Sequence, residues 1–174
     1  QRFLAYFAVD LYEAWMTTKL AKDTTYFLPF NQGSNGPGEV GGAGNPPNGD
    51  GYASSYLWEK VLAKDSLLDI LQRFLHLKGT VRKGTLIFPR YHQWDLVHKL
   101  LHEAKTKGAG DNFLIQHSTG SGKSYSLTWL AYRLSTLHDA FDKAVYDSVI
   151  VVTDRRLLDK QLQEDIMSFD HTDG

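Results

Sequence analysis

Apolar residues recur along this chain in two rhythms, and the change between them organises it. Residues 3–9 are apolar or aromatic at every position, which is expected of a strand buried on both faces. Asp10 and Leu11 turn the chain into a second extended segment, residues 14–18, so the pair is expected to form a hairpin. After a long interruption, apolar residues return at 56–58 and 61–62. Leu67, Leu68, Leu71, Phe74 and Leu75 then fall at helical spacing behind Ser66, a candidate N-cap. A short extended piece, residues 85–88, stops at Pro89. A helix follows with Leu96, Val97, Leu100, Leu101 and Ala104 on one face, and Gly108-Ala109-Gly110 breaks it.

Beyond that break the alternation is regular. Residues 113–115 predict a strand, and Leu127, Leu130, Ala131, Leu134 and Leu137 an amphipathic helix. Residues 149–152 predict another strand, and Leu158, Leu162 and Ile166 a helix starting near Arg156. Strand, helix, strand, helix implies an α/β fold with a parallel sheet in the C-terminal half. No internal repeat is apparent.

The interruption has its own texture. Residues 31–51 hold 8 of the 15 glycines, with Pro37, Pro46, Pro47 and four asparagines, and so predict a flexible or irregularly folded connection. No Lys-Ser follows its Gly36-to-Gly41 spacing and no strand leads in, so it is not a phosphate loop.

Charge and composition narrow the classes. At 174 residues the chain suits one ordinary domain or parts of two. Its formal net charge is −1, which argues against a small free-standing DNA-binding protein but not against a motor touching phosphates through a few placed groups. The absence of cysteine excludes disulfide scaffolds and Cys-based zinc sites and fits a reducing cytosol. No stretch has the length of an apolar membrane span, so no membrane role is expected. The first residue is Gln1, as expected of an internal piece of a longer protein.

The segment whose chemistry can be named from spelling is residues 112–130. An apolar strand leads into Ser118-Thr119-Gly120-Ser121-Gly122-Lys123-Ser124 and then a helix. Such a loop aims consecutive backbone N–H groups at a polyphosphate, and the helix dipole adds to their pull. Gly120 and Gly122 let the backbone bend around the phosphates. Lys123 would reach the β/γ-phosphates as a mobile charge, and the Ser124 hydroxyl would complete a Mg²⁺ shell. The general form of the motif has Gly where this chain has His117; the narrower helicase form is met in all but its first residue.

Other constellations are weaker. Gln93, in Arg90-Tyr91-His92-Gln93 ahead of a helix, offers the donor and acceptor that an adenine edge needs; alone it would also suit a helix-start residue in solvent, but at this distance from a phosphate loop the adenine role is favoured. Thr153, Asp154, Arg155 and Arg156 stand where a strand meets a helix, at the sheet edge where α/β ligands bind. They could hold a nucleic-acid phosphate, or Asp154 could simply cap the helix beside solvated arginines. His98 and His102 have the i, i+4 spacing of a zinc site, but Lys99 stands where that chemistry wants Glu, so they read as exposed helix residues. Asp65 and Asp69 need no function.

With these residues in hand, the chain resembles the restriction (R) subunit of type I restriction enzymes over nearly its full length. RFLAYFAVDLYEAWMTTKLAKDTTYFLPFNQG, GGAGNPP and YLWEKVLAKDSLLDILQRF resemble the end of that family's nuclease domain and its exit into a superfamily 2 motor. FPRYHQWDLV is similar to its adenine-reading motif, QHSTGSGKSYSLTWLAYRL to its phosphate loop, His included, and VIVVTDRRLLDKQL to the next, DNA-touching motor motif.

The resemblance implies an α/β chain with a nuclease-domain remnant over 1–65, followed by the first part of a RecA-like, parallel-sheet motor domain over 66–174. It implies ATP and Mg²⁺ as cofactors, with Gln93 on the base and Thr119, Gly120, Ser121, Gly122, Lys123 and Ser124 on the phosphates and metal. Lys123 is the expected catalytic residue, and Thr153, Asp154 and Arg155 the expected DNA contacts. The implied partners are double-stranded DNA and the modification and specificity subunits, in the cytoplasm. The family's Asp…Glu-x-Lys nuclease site, its Asp-Glu-x-His motif and its arginine fingers are not recognisable in these residues. The chain alone is therefore expected neither to cut DNA nor to turn over ATP at a useful rate. Three other readings of the same loop are an ATP-binding switch module, another superfamily 2 DNA-dependent ATPase without nuclease activity, and a small-molecule kinase; the N-terminal run and the Gln93 motif disfavour the kinase.

Overall fold

The computed structural model describes residues 3–79 and 84–153 together with 163, 164, 166 and 167. The chain divides into two compact units, residues 1–92 and 93–174.

The first unit opens with the expected hairpin. β1 (Tyr6–Val9) pairs antiparallel with β2 (Ala14–Thr17), Tyr6 opposite Thr17 and Val9 opposite Ala14. Asp10 builds the turn: its Oδ1 accepts from the N–H groups of Tyr12 and Glu13 at 2.8 and 2.7 Å. These two donors hold its carboxyl below the usual carboxylate range. β3 (Leu28–Pro29) adds to the other side of β2, giving the order β1-β2-β3. β1 is thus an edge strand and is not buried on both faces, as its all-apolar spelling predicts; Phe3, Leu4 and Val9 are exposed. Aromatic rings supply the core instead. Phe30 stands edge-on to Phe7 and Tyr91 at 5.4 and 6.0 Å between ring centroids, and Tyr56 packs against Tyr91 at 5.1 Å. The buried Tyr56 hydroxyl donates to the Phe30 carbonyl, and burial holds the phenol well above its ordinary pKa.

Residues 31–51 form an ordered irregular loop. Asn45 is its keystone. Its Oδ1 accepts from the Gln32 N–H at 2.8 Å, and its Nδ2 donates to the Tyr12 carbonyl at 2.8 Å and to Asn31 Oδ1 at 3.0 Å. Asn31 in turn accepts from the Ala14 N–H, which ties the loop to β2. The loop's own backbone closes it, Gly33 N–H to the Gly44 carbonyl and Ser34 N–H to the Gly42 carbonyl. Asparagine and serine side chains here satisfy backbone groups that no ladder reaches.

A π-wound turn, Leu57–Val61, leads to α1 (Lys64–Asp69), which continues into a second π-wound turn, Ile70–Phe74. Ser66 lies inside α1 and does not cap it. Ala63 is the N-cap, because the preceding turn delivers a chain whose Ala63 carbonyl already accepts from the Leu67 N–H. The wide winding keeps Ile70 and Phe74 both buried. Leu75 is extended rather than helical, and β4 (His76–Lys78) pairs antiparallel with β5 (Thr85–Ile87).

α2 (Tyr91–Lys107) begins after Pro89 and buries Val97, Leu101 and Ala104, as its spacing predicts. Its C-terminus is closed by Gly108 at φ +74°, whose N–H donates to the Ala104 carbonyl. In the second unit α3 (Lys123–Ser135) takes its predicted place, but the buried residues are Ser126, Thr128, Trp129 and Ala131, while Leu127 is partly exposed and Leu137 lies beyond the helix.

The expected parallel sheet is not formed among the described residues; both sheets are small and antiparallel. Residues 113–115 and 149–152 are not strands, and Leu114 and Ile150 are 93% and 83% exposed. A parallel strand has no stability without a neighbour to share its ladder, however strand-like its residues. The helix expected from Arg156, with Leu158 and Leu162, lies outside the described residues apart from its helical positions 163, 164, 166 and 167.

Candidate nucleotide-binding site

The loop at 118–122 joins an extended segment to α3, and two glycines set its shape. Gly120 has φ +76° and Gly122 φ +82°, the left-handed region that L side chains avoid. Gly122 is the N-cap of α3, and no side chain caps that helix. The Gly122 carbonyl accepts from the N–H groups of Tyr125 and Ser126 at 3.0 and 3.4 Å. The N–H groups at the very start of the helix thus have no intrahelical acceptor, which is the electrostatic condition for holding an anion.

Two side chains fix the loop from opposite ends. Lys123 folds back so that its Nζ donates to the carbonyls of His117 and Ser118 at 3.1 and 2.9 Å. Neutral carbonyls orient the ammonium without cancelling its charge. Gln93 is 3% exposed. It sits in the first turn of α2 rather than ahead of the helix, and its Nε2 donates to the carbonyls of Gly122 at 2.9 Å and Ser121 at 3.3 Å. A Cβ on Gly122 would lie 2.5 Å from that nitrogen. Gly122 is therefore required twice, by its backbone angle and by the side chain packed against it.

The sequence motif is in this way brought together in space. Gln93 holds Ser121 and Gly122, and Lys123 holds His117 and Ser118, whose carbonyl also accepts from the Ser121 N–H, with Thr119 and Gly120 on the exposed crest. Ser124 is half-buried at the second helical position, and its carbonyl accepts from the Thr128 hydroxyl. His117, half-buried at the loop's entry, has its pKa pushed down, first by burial and then by the Lys123 charge. Thr153 is described and half-buried, while Asp154 and Arg155 lie outside the described residues. His98 Nδ1 is 2.8 Å from the Trp94 carbonyl and its ring lies against Trp94. Among the described residues no group of His, Asp or Glu could hold a metal ion. No helix among them is long and apolar enough to cross a membrane.

Sequence reasoning missed one feature of this unit. A cavity of about 310 Å³ opens beside the loop, with Leu96, Ile115, Leu127 and Leu130 as apolar walls and Lys123 and Ser124 at its edge. The buried Ser126 hydroxyl, without a hydrogen-bond partner among the described residues, also lines it. The helical spacing of Leu127 and Leu130 was the available signal, since it marks the face of α3 that an α/β layer would cover.

A family model described as SWI2/SNF2 ATPase matches residues 92–173. No curated protein and no solved structure matches the chain. The matched stretch begins one residue before Gln93 and takes in the whole loop, so the C-terminal half of the chain is similar in sequence to a superfamily 2 helicase-like ATPase.

Proposed function

We propose that residues 92–173 bind Mg·ATP as part of the first motor lobe of a DNA translocase. The observation that carries the reading is the loop: two left-handed glycines, an uncapped helix N-terminus behind them, and an ammonium held across them by carbonyls alone. These residues fit a nucleotide triphosphate. The N–H groups of the loop and first helical turn would hold the β- and γ-phosphates, Lys123 would sit at the γ-phosphate as the catalytic charge, and the Ser124 hydroxyl would reach Mg²⁺. Thr119, Gly120 and Ser121 would line the phosphate path. Mg·ATP supplies a phosphoanhydride whose hydrolysis drives movement; the chain's part is positioning and electrostatics. Gln93 contributes in one of two ways, by reading adenine or by fixing the loop, and its hydrogen bonds to Ser121 and Gly122 favour the second.

The finer reading is the motor subunit of a type I restriction complex, supported by the likeness of residues 2–33 and 56–74 to the end of that family's nuclease domain. On this reading Thr153, Asp154 and Arg155 touch a duplex DNA track, the modification and specificity subunits are partners, and the protein works in the cytoplasm. The rival is an ATP-driven switch that does not move along DNA. Adding duplex DNA to the parent protein separates them. A translocase's ATP turnover rises with DNA, and displacement of a third strand from a triplex reports movement. Turnover indifferent to DNA would leave the switch.

A further inference from the structure

We infer that the concavity between the β1–β2 turn and the Asn-rich loop is a docking site for an arginine-bearing segment of a partner protein. The concavity measures about 400 Å³ and is lined by Leu11, Tyr12, Glu13, Asn45, Asn48 and Tyr52, among others. Leu11, Tyr12 and Tyr52 are 51%, 69% and 54% exposed, so three large side chains face water around one hollow. Tyrosine presents apolar area with few rotatable bonds, which makes it a recurrent contact residue where proteins meet.

The walls are held in place before any partner arrives. Asn45 donates to the Tyr12 carbonyl at 2.8 Å, and Asn48 donates to the Tyr52 carbonyl at 3.3 Å and to Ser55 Oγ at 3.2 Å. The Ser54 hydroxyl donates to the Asp10 carbonyl at 2.6 Å, joining the turn to the chain beyond the loop. A preformed hollow loses less ordering entropy on binding than a mobile one.

Charge selects the occupant. Among the described residues that line the hollow, Glu13 is the one carboxylate, and none is a lysine or arginine. Its Oε2 accepts from Trp15 Nε1 at 3.1 Å, which orients the carboxylate, and Oε1 lies on the side of Gly44. The Asp10 carboxylate, in the same turn, adds a second negative charge. Aromatic faces around a fixed carboxylate match a guanidinium, which stacks on a ring and forks onto an acid at once. A lysine would satisfy the charge without stacking. A nucleic-acid strand could stack on the tyrosines, but its phosphates would meet Glu13 and Asp10.

The test uses the full chain and follows the Trp15 indole N–H signal by NMR, because that proton is bonded to the proposed recognition carboxylate. The probes are acetyl-Gly-Arg-Gly-amide, its neutral citrulline counterpart, and a short oligothymidylate. We expect a saturable shift with the arginine peptide and binding weaker by roughly tenfold or more for citrulline. Glu13→Gln should weaken arginine binding comparably while its amide oxygen still accepts the indole proton, which keeps the reporter and the fold. Tyr12→Ala should weaken it without moving the resting signal of Trp15. Equal binding of citrulline, an unaltered Glu13→Gln variant, or no saturable shift would overturn the inference. Oligothymidylate binding that depends on Tyr12 and Tyr52, without arginine binding, would overturn it in favour of nucleic acid.

Discussion

Two glycine-rich loops in this chain use the same backbone freedom for opposite ends. In residues 31–51, Gly33, Gly36, Gly38 and Gly44 all have positive φ, and in residues 118–122 so do Gly120 and Gly122. The first loop turns its polar groups inward: asparagine and serine side chains take up its backbone donors and acceptors. The second has no asparagine, is pinned from outside by Gln93 and Lys123 through its carbonyls, and leads into an uncapped helix. In residues 118–122 the Ser121 N–H donates to the Ser118 carbonyl, while the N–H groups that open α3 lack an intrahelical acceptor, an arrangement suited to an anion; donors and acceptors both satisfied is scaffolding. Glycine content alone does not distinguish them.

The comparison is broken most severely at Lys123. On the proposed function, Lys123→Ala in the full-length protein should lower ATP turnover by about 10²–10³-fold, the usual loss of an electrostatic contact to a reacting group. The same change should leave the melting temperature of the chain nearly unaltered, since Lys123 is exposed. Next comes Gly122→Ala. It places a side chain at φ +82° and against the Gln93 amide, a strain of about 1–3 kcal/mol, and should reduce Mg·ATP affinity by roughly tenfold or more in a binding titration.

The scaffold loop should answer in the other currency. Asn45→Ala strips partners from the Gln32 N–H and the Tyr12 carbonyl and should destabilise the first unit by about 1–3 kcal/mol, seen as a lower melting temperature. Mg·ATP affinity should not change. An effect on affinity as large as that of Gly122→Ala would remove the distinction between the loops.

Gln93→Ala sharpens it further. If Gln93 fixes the loop, affinity for ATP and GTP should fall together by a fewfold, roughly the worth of one or two hydrogen bonds. If it reads the base, the preference for ATP over GTP should shrink instead; paired titrations decide. The smallest effect concerns His117. Its folded pKa is depressed, so below the unfolded value of about 6.5 the unfolded chain takes up a proton that the folded chain refuses. Stability should therefore fall as pH drops through 6.5 toward the folded pKa, and level off beneath it. His117→Gln should flatten that part of a melting-temperature profile, and an unchanged slope would assign it to other groups.

Much of this was legible in residue order. The β1–β2 hairpin needs only local pattern and a turn residue, and α2 and α3 needed only helical spacing. The tight turn into α3 was legible because its glycines, Gly120 and Gly122, stand just before the helix. What could not be read depends on distant partners. Residues 113–115 and 149–152 have strand composition, but a strand exists only with a neighbour. β1 has core composition but sits at an edge, since among the described residues only β2 pairs with it. The order within residues 31–51 rests on Asn45 meeting Tyr12, 33 positions away, and composition cannot announce such a contact. Gln93 was singled out for a base edge, while its hold on Gly122, across 29 positions, becomes visible only in three dimensions.

The central claim, that the N–H groups of Gly120 and of residues 122–124 are kept for a phosphate, is tested most directly by amide hydrogen exchange of the full chain with and without Mg·ATP. The account predicts slower exchange at Gly120, Gly122, Lys123 and Ser124 when nucleotide is added, no change across residues 31–51, and loss of the slowing in Lys123→Ala. Slowing confined to the Asn-rich loop, or unaltered exchange at the phosphate loop under saturating Mg·ATP, would contradict it.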